Sequence, residues 1–245
     1  MWTDLANGHP TGSALKSAIS GDFVVFIGEQ NPTVVILSQR MVAGLSTLES
    51  AVTVGNGRPA ALWANSSGVL FLLVNDDGGA DASMYTSTDN GGSWSAGAIT
   101  IPVQSATKAS MGGFLDQFYF SWVDSNTWNV GSANELVTGL SSTRAVYPLS
   151  SGFSGFPNVV LSARSDEVLL AGDTSSTGVA KRWQTVLTRP IATGTPFVDT
   201  YQRNSNLTAQ VIGGTVFDTD YYLVGTALDE NGDGHWITRQ LTCSR

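Results

Sequence analysis

Val69-Leu70-Phe71-Leu72-Leu73-Val74-Asn75 is the stretch that decides the fold. It is a short continuous apolar run, the length of a buried strand and far below the roughly 20 residues of a membrane helix. A polar loop, residues 76–81, follows it, and then a second strand-like segment, 82–87. The same unit of apolar strand, polar turn and second strand returns at Asp22, Gln117, Glu167 and Asp220. Successive starts lie about 50 residues apart, a period that marks a repeated sheet rather than a sandwich. Helical periodicity is nearly absent, and Gly, Asn, Asp and Ser punctuate the chain at turn spacing. The length of 245 residues accommodates five such units. The reading is therefore an all-β, five-bladed β-propeller with four antiparallel strands per blade, in one domain spanning 1–245.

Working outward, each unit is preceded by a segment suited to an inner strand: 13–19, 58–64, 107–113, 156–163 and 207–212. These favour small residues, as crowding near an axis requires. Outer strands are expected at 45–54, 98–103, 145–149 and 196–201. The last unit lacks one, and the spare N-terminal segment 2–5 is expected to supply it and close the ring. Closure would remove two open sheet edges.

Composition excludes several functions. Twelve Lys+Arg against twenty Asp+Glu give a net charge of −8, and only 13% of residues are charged. Nucleic-acid binding needs clustered cations, so it is not expected. The 42% hydrophobic content excludes disorder. One cysteine, Cys243, allows no internal disulfide. The first ten residues lack the basic and apolar regions of a signal peptide, and no membrane span is expected. The localisation expected from this is a virion or extracellular surface reached without a cleaved peptide, or otherwise the cytoplasm.

Between the third and fourth strands of the second unit the chain reads Ser87-Thr88-Asp89-Asn90-Gly91-Gly92-Ser93-Trp94. This resembles the Asp-box of sialidase-type (BNR-repeat) propellers, S-x-D-x-G-x-[ST]-W, in about one blade of five. The resemblance implies a structural turn: Asp89 takes backbone N–H groups, Gly91 permits a positive φ, and Ser87, Ser93 and Trp94 brace the hairpin. It does not carry over a sialidase active site, because the family's early arginine motif is absent.

No catalytic residue is assigned. Glycoside hydrolysis needs at least two carboxylates a few ångströms apart, and the expected inner strands contain no Asp or Glu. Acids gather instead in the turns after each apolar strand: Glu29; Asp76, Asp77 and Asp81; Asp124; Asp173; and Asp229, Glu230 and Asp233. Asp229-Glu230-Asn231-Gly232-Asp233-Gly234 matches the first half of a calcium loop, so Asp229, Asn231 and Asp233 are the candidate Ca²⁺ ligands. No other cofactor is expected. Trp128 and Trp236, with Asp124 and Asn126, are candidates for stacking on and hydrogen-bonding a glycan. Phe153 and Phe156 suggest an exposed loop tip for a partner.

The leading expectation is a non-enzymatic recognition or assembly module. In composition the chain is similar to phage tail, fibre and decoration proteins, whose partners would be host glycans, neighbouring virion subunits or further copies of the chain. The alternatives are a glycoside hydrolase of the sialidase-like or five-bladed furanosidase-like kind, and a purely structural virion component.

Overall fold

A computed structural model describes residues 16–30, 35–42, 48–76, 81–102, 109–134, 140, 142–149, 153–176, 179–190, 194–203 and 206–242. Among them the chain is all-β and forms five antiparallel sheets, one for each expected blade. Contacts group the chain into two units, Met1–Ser105 and Ala106–Arg245.

The first unit holds two four-stranded sheets. One is β1 (Lys16–Ser20), β2 (Phe23–Gln30), β3 (Val35–Val42) and β4 (Val52–Asn56). The other is β5 (Arg58–Ala64), β6 (Leu70–Asn75), β7 (Asp81–Ser87) and β8 (Ser95–Pro102). The run that decided the fold is β6, and Leu70 through Val74 are all at most 2% exposed. A strand apolar on both faces is stable only when both faces of its sheet are covered. On one side, Leu70, Leu72 and Val74 pack against Val25, Ile27 and Ile36 of the first sheet.

The second unit holds three sheets. The first is β9 (Ser110–Phe114), β10 (Gln117–Asp124), β11 (Thr127–Asn134) and β12 (Ser142–Pro148). The next is β13 (Phe153–Arg164), β14 (Glu167–Ser176), β15 (Arg182–Thr188) and β16 (Phe197–Tyr201). The last, β17 (Ala209–Phe217), β18 (Asp220–Leu228) and β19 (Gly234–Thr242), has three strands. Tyr119, Val130, Val160 and Leu170 share one apolar cluster. Leu169, Trp183, Val211 and Leu223 share a second. Residues 2–5, expected as the closing strand, lie outside the described residues, as do Asp77 and Cys243.

Three inner strands carry a β-bulge at a corresponding place. The register shifts between Pro59 and Ala61 in β5, between Pro157 and Val159 in β13, and between Val211 and Gly213 in β17. Bulges bend a strand and re-aim side chains, and they concentrate near sites.

Two expectations are corrected here. Phe153 and Phe156 are not a loop tip: both lie in β13, opposite Ser176 and Asp173. The Gly-Phe-Ser-Gly-Phe stretch looks like a loop by composition, but β13 and β14 extend their pairing through it, and Phe156 packs on the core. Glu29 and Asp173 likewise lie within strands rather than turns.

Candidate functional site

Asp173 is the acid that the fold treats differently from the rest. It sits near the end of β14, opposite Phe156 on the inner strand β13 and Trp183 on β15. Trp183 is completely buried, so one neighbour of this carboxyl is a large apolar ring. The carboxylate reaches across to the inner strand of the next sheet, where Val211 N–H donates to Oδ1 at 3.0 Å. Burial pushes the Asp173 pKa above the ordinary carboxylate value, against the opposing pull of the Val211 N–H and of Lys181. A carboxyl held toward its protonated form is what a general acid requires.

The surroundings of Val211 are built by the two bulges. Asn158, the residue displaced in β13, donates Nδ2 to Val211 O at 3.2 Å. Ser110, at the start of β9, donates Oγ to Asn158 O at 3.3 Å. Polar groups therefore link the inner strands of all three sheets of the unit: Ser110 on β9, Asn158 on β13, and Val211 on β17, which Asp173 also holds. Asp124 ends the second strand of the neighbouring sheet, as Asp173 nearly ends β14, and it is exposed. Ser125 Oγ donates to its Oδ1 at 3.1 Å. Asp124 and Thr127 flank a tight turn whose central residues, Ser125 and the exposed Asn126, have φ of 50° and 58°, the geometry of a type I′ hairpin.

Sequence reasoning looked for channel acids on the inner strands and counted Asp173 among turn residues. The missed signal is the length of β14. Its strand continues to Ser176, which places Asp173 inside the sheet and within reach of β17. Glu29 is a second departure. It is only 2% exposed, and its Oε2 is buried without a hydrogen-bond partner among the described residues.

Trp128 is corrected. It is fully buried, edge-on to Tyr147 with centroids 5.4 Å apart, and donates Nε1 to Gly155 O at 3.3 Å. It presents no free face to a sugar ring, because the bulge at Trp128/Asn129 and the apolar cluster around Val130 hold it inside. Trp236, by contrast, is 74% exposed on β19.

The loop read as a calcium site is a self-bonded turn. Asp229 Oδ1 accepts the N–H groups of Asn231 and Asp233, each at 2.9 Å, and Oδ2 meets His235 Nε2 at 2.8 Å. The His235 contact, followed by the Asp233 N–H, lowers the Asp229 pKa. Among the described residues no group of three or more His, Cys, Asp or Glu is placed to hold a metal ion.

The Ser87–Trp94 turn forms the hydrogen bonds its residues imply. Asp89 Oδ1 accepts Ser87 Oγ and Ser93 N, both at 2.8 Å, and Oδ2 accepts Ser93 Oγ at 2.7 Å. Ser87 Oγ accepts Gly91 N at 2.9 Å, and Gly91 has φ of 83°. The turn also grips the first sheet: Ser38 Oγ donates to Gly91 O, and Arg40 Nη1 to Asp89 O. Trp94 packs on the apolar cluster between the two sheets.

No protein-family model matches the chain, and no curated protein matches it in sequence. Solved structures do match. A hydrazine synthase of Kuenenia stuttgartiensis aligns over 88% of this chain and 64% of its own, with a TM-score of 0.61 and 11% identity. An exo-β-1,3-galactanase of Phanerochaete chrysosporium, solved with galactose, aligns over 98% and 63%, with a TM-score of 0.52 and 11% identity. An α-L-arabinofuranosidase of Lactobacillus brevis aligns over 94% and 90%, with a TM-score of 0.51 and 12% identity. The chain spans less than two thirds of the length of the first two. At such identities the likeness is one of fold, and it supports a β-propeller whose five sheets fit five blades. The recurrence of glycoside hydrolases among these neighbours overturns the expectation of a non-enzymatic recognition or assembly module.

Proposed function

We propose that the chain is a glycoside hydrolase of the five-bladed furanosidase-like kind, acting on a neutral glycan. The observation that carries the reading is Asp173. It is a half-buried carboxyl with a raised pKa, set against Trp183 and fixed by an inner-strand N–H. In the proposed reaction Asp173 donates a proton to the glycosidic oxygen as the C–O bond breaks. Water attacks the anomeric carbon and ends as its new hydroxyl, its proton taken by a second carboxylate. Asp124, exposed at the end of the adjacent sheet's second strand, is the proposed partner. Asn158 and Ser110 are positioning residues that hold the Val211 backbone and, through it, the Asp173 carboxyl.

The test is a hydrolysis panel with arabinan, β-1,3-galactan and aryl furanosides, read by released reducing sugar or aryl alcohol. The expected result is turnover of at least one member. Asp173→Asn should lower the rate by on the order of 100-fold or more, the usual contribution of a general acid. A correctly folded wild-type chain that cleaves no member of the panel overturns the reading.

A further inference from the structure

The second unit carries a polar cleft of about 380 Å³, lined by Arg203, Leu207, Asp229, Glu230 and Asn231. Its two walls start from one backbone rung, where Leu228 N–H donates to Thr208 O at 2.9 Å. On one side Gln202 Nε2 donates to Leu207 O at 2.8 Å, which ties Leu207 to the residue before Arg203. On the other side the turn after β18 is closed by its own backbone. Asp229 N donates to Asp233 O at 2.9 Å, and Gly232 N to Asp229 O at 3.0 Å. The Asp229 carboxylate adds its bonds to Asn231 N, Asp233 N and His235. Both walls are thus braced before a ligand arrives, which lowers the ordering cost of binding.

The side chains not used in this bracing are open to a ligand. Arg203, Glu230 and Asn231 are exposed, and Leu207 is half-buried. Among the described residues, the side chains of Arg203 and Glu230 form no ion pair or hydrogen bond, although they line the same cleft. A guanidinium offers five N–H donors, a carboxylate only acceptors, and a carboxamide both. Asp229 is already matched by His235, and Arg203 and Glu230 offset each other in charge, so the cleft favours a neutral ligand. Hydroxyl groups both donate and accept, and they suit all three polar side chains. Leu207 adds an apolar surface for C–H groups. A sugar ring has both kinds of surface.

The cleft lies at the Asp173 end of the sheets. Val211, whose N–H holds Asp173, is four residues beyond Leu207, so their Cα atoms are at most about 14 Å apart. Between them, Ala209 N–H donates at 2.9 Å to the carbonyl of Lys181, just before β15. We propose that this cleft is a distal subsite for a neutral glycan chain whose scissile linkage lies at Asp173. The inference rests on the hydrolase reading and adds a substrate class to it: oligosaccharides and polysaccharides in preference to glycosides of a single sugar. A ring held here bonds Arg203, Glu230 and Asn231 through its hydroxyls and rests a C–H face on Leu207.

The test uses the full chain carrying Asp173→Asn, so that binding is measured without turnover. Titration calorimetry is run with the disaccharide and the pentasaccharide of arabinan and of β-1,3-galactan. For at least one series the pentasaccharide should bind about tenfold more tightly than the disaccharide. Adding Arg203→Ala should remove most of that gain and leave disaccharide affinity and Tm unchanged, because the replaced side chain is exposed. Glu230→Ala should act in the same direction. Arg189→Ala, an exposed arginine just past the other end of β15, should change neither affinity. Absence of binding, affinity that does not rise with chain length, or a rise that survives Arg203→Ala overturns the subsite. So does an equal loss in Arg189→Ala. Turnover in the hydrolysis panel alongside any of these results overturns the subsite alone. A chain-length gain lost in Arg203→Ala, together with a failed panel, overturns the hydrolase reading and leaves a glycan-binding cleft.

Discussion

At the scale of single residues, the carboxyls of Asp173 and Asp89 are displaced in opposite directions by their surroundings. Burial raises Asp173, and the Val211 N–H recovers only part of the loss. For Asp89 the desolvation is outweighed by donors from Ser93 and Ser87, and the net shift is downward. The signs give opposite pH dependences. A lowered folded-state pKa means that Asp89 stabilises the fold above the ordinary Asp value of about 3.9, and that this is lost as pH falls through the folded value. Asp89→Ala should therefore cost about 1–2 kcal/mol at pH 7, in keeping with lost hydrogen bonds to a charged group. The cost should shrink in acid, as read from denaturant melts across pH. Asp173 has a raised folded-state pKa, so the native state holds its proton more tightly than the unfolded chain does. Ionisation of Asp173 then lowers stability as pH rises through the folded value. Asp173→Asn should consequently raise Tm at pH 7, with the difference vanishing below about pH 4. A stability gain coupled to an activity loss separates a functional carboxyl from a structural one.

At the scale of elements, the eight-residue stretch that resembles an Asp-box was legible because its chemistry is local. Each donor and acceptor lies within four residues of its partner, and the turn forms as those spacings imply. What could not be read was its grip on β2 and β3. A Cβ at Gly91 would come within 2.8 Å of Val25 Cγ1, in a backbone with φ of 83°. Gly91→Ala should destabilise the first unit by about 1–3 kcal/mol, from strain plus the clash, and this is measurable by thermal unfolding. Inner strands were legible in part. Residues 58–64 are β5 as expected, since Arg58-Pro59 and the Asn65 turn mark both ends. The strand expected at 156–163 grew to Phe153–Arg164, because backbone pairing with β14 overrides the loop-like glycines around Phe153. Trp128 was misread for a related reason. Proximity to a hairpin turn says nothing about which side of the sheet a residue faces, and its side faces the core.

At the scale of the whole molecule, the repeat of about 50 residues foretold five sheets because each sheet takes up about that length of chain, although the last has three strands among the described residues. Function was less legible, because the repeat says where strands fall and not which side chains cross between neighbouring sheets. The inner strands were rightly read as free of acids, yet Asp173 on β14 reaches β17 from the next sheet. An acid on the strand next to the first strand of its sheet carries no mark in sequence until the bulges that position Val211 are known. The net charge of −8 acquires the same internal division. Most of the turn acids are exposed, whereas Glu29 is buried and Asp173 is half-buried.

The central claim is that Asp173 protonates the leaving group. It is tested most directly by comparing aryl glycosides of one sugar that differ only in leaving-group acidity. With Asp173→Asn, hydrolysis of a dinitrophenyl glycoside, which departs without protonation, should stay within about tenfold of wild type. Hydrolysis of an unsubstituted phenyl glycoside should fall by on the order of 100-fold or more. Equal losses on both substrates, or no loss on either, would contradict the claim.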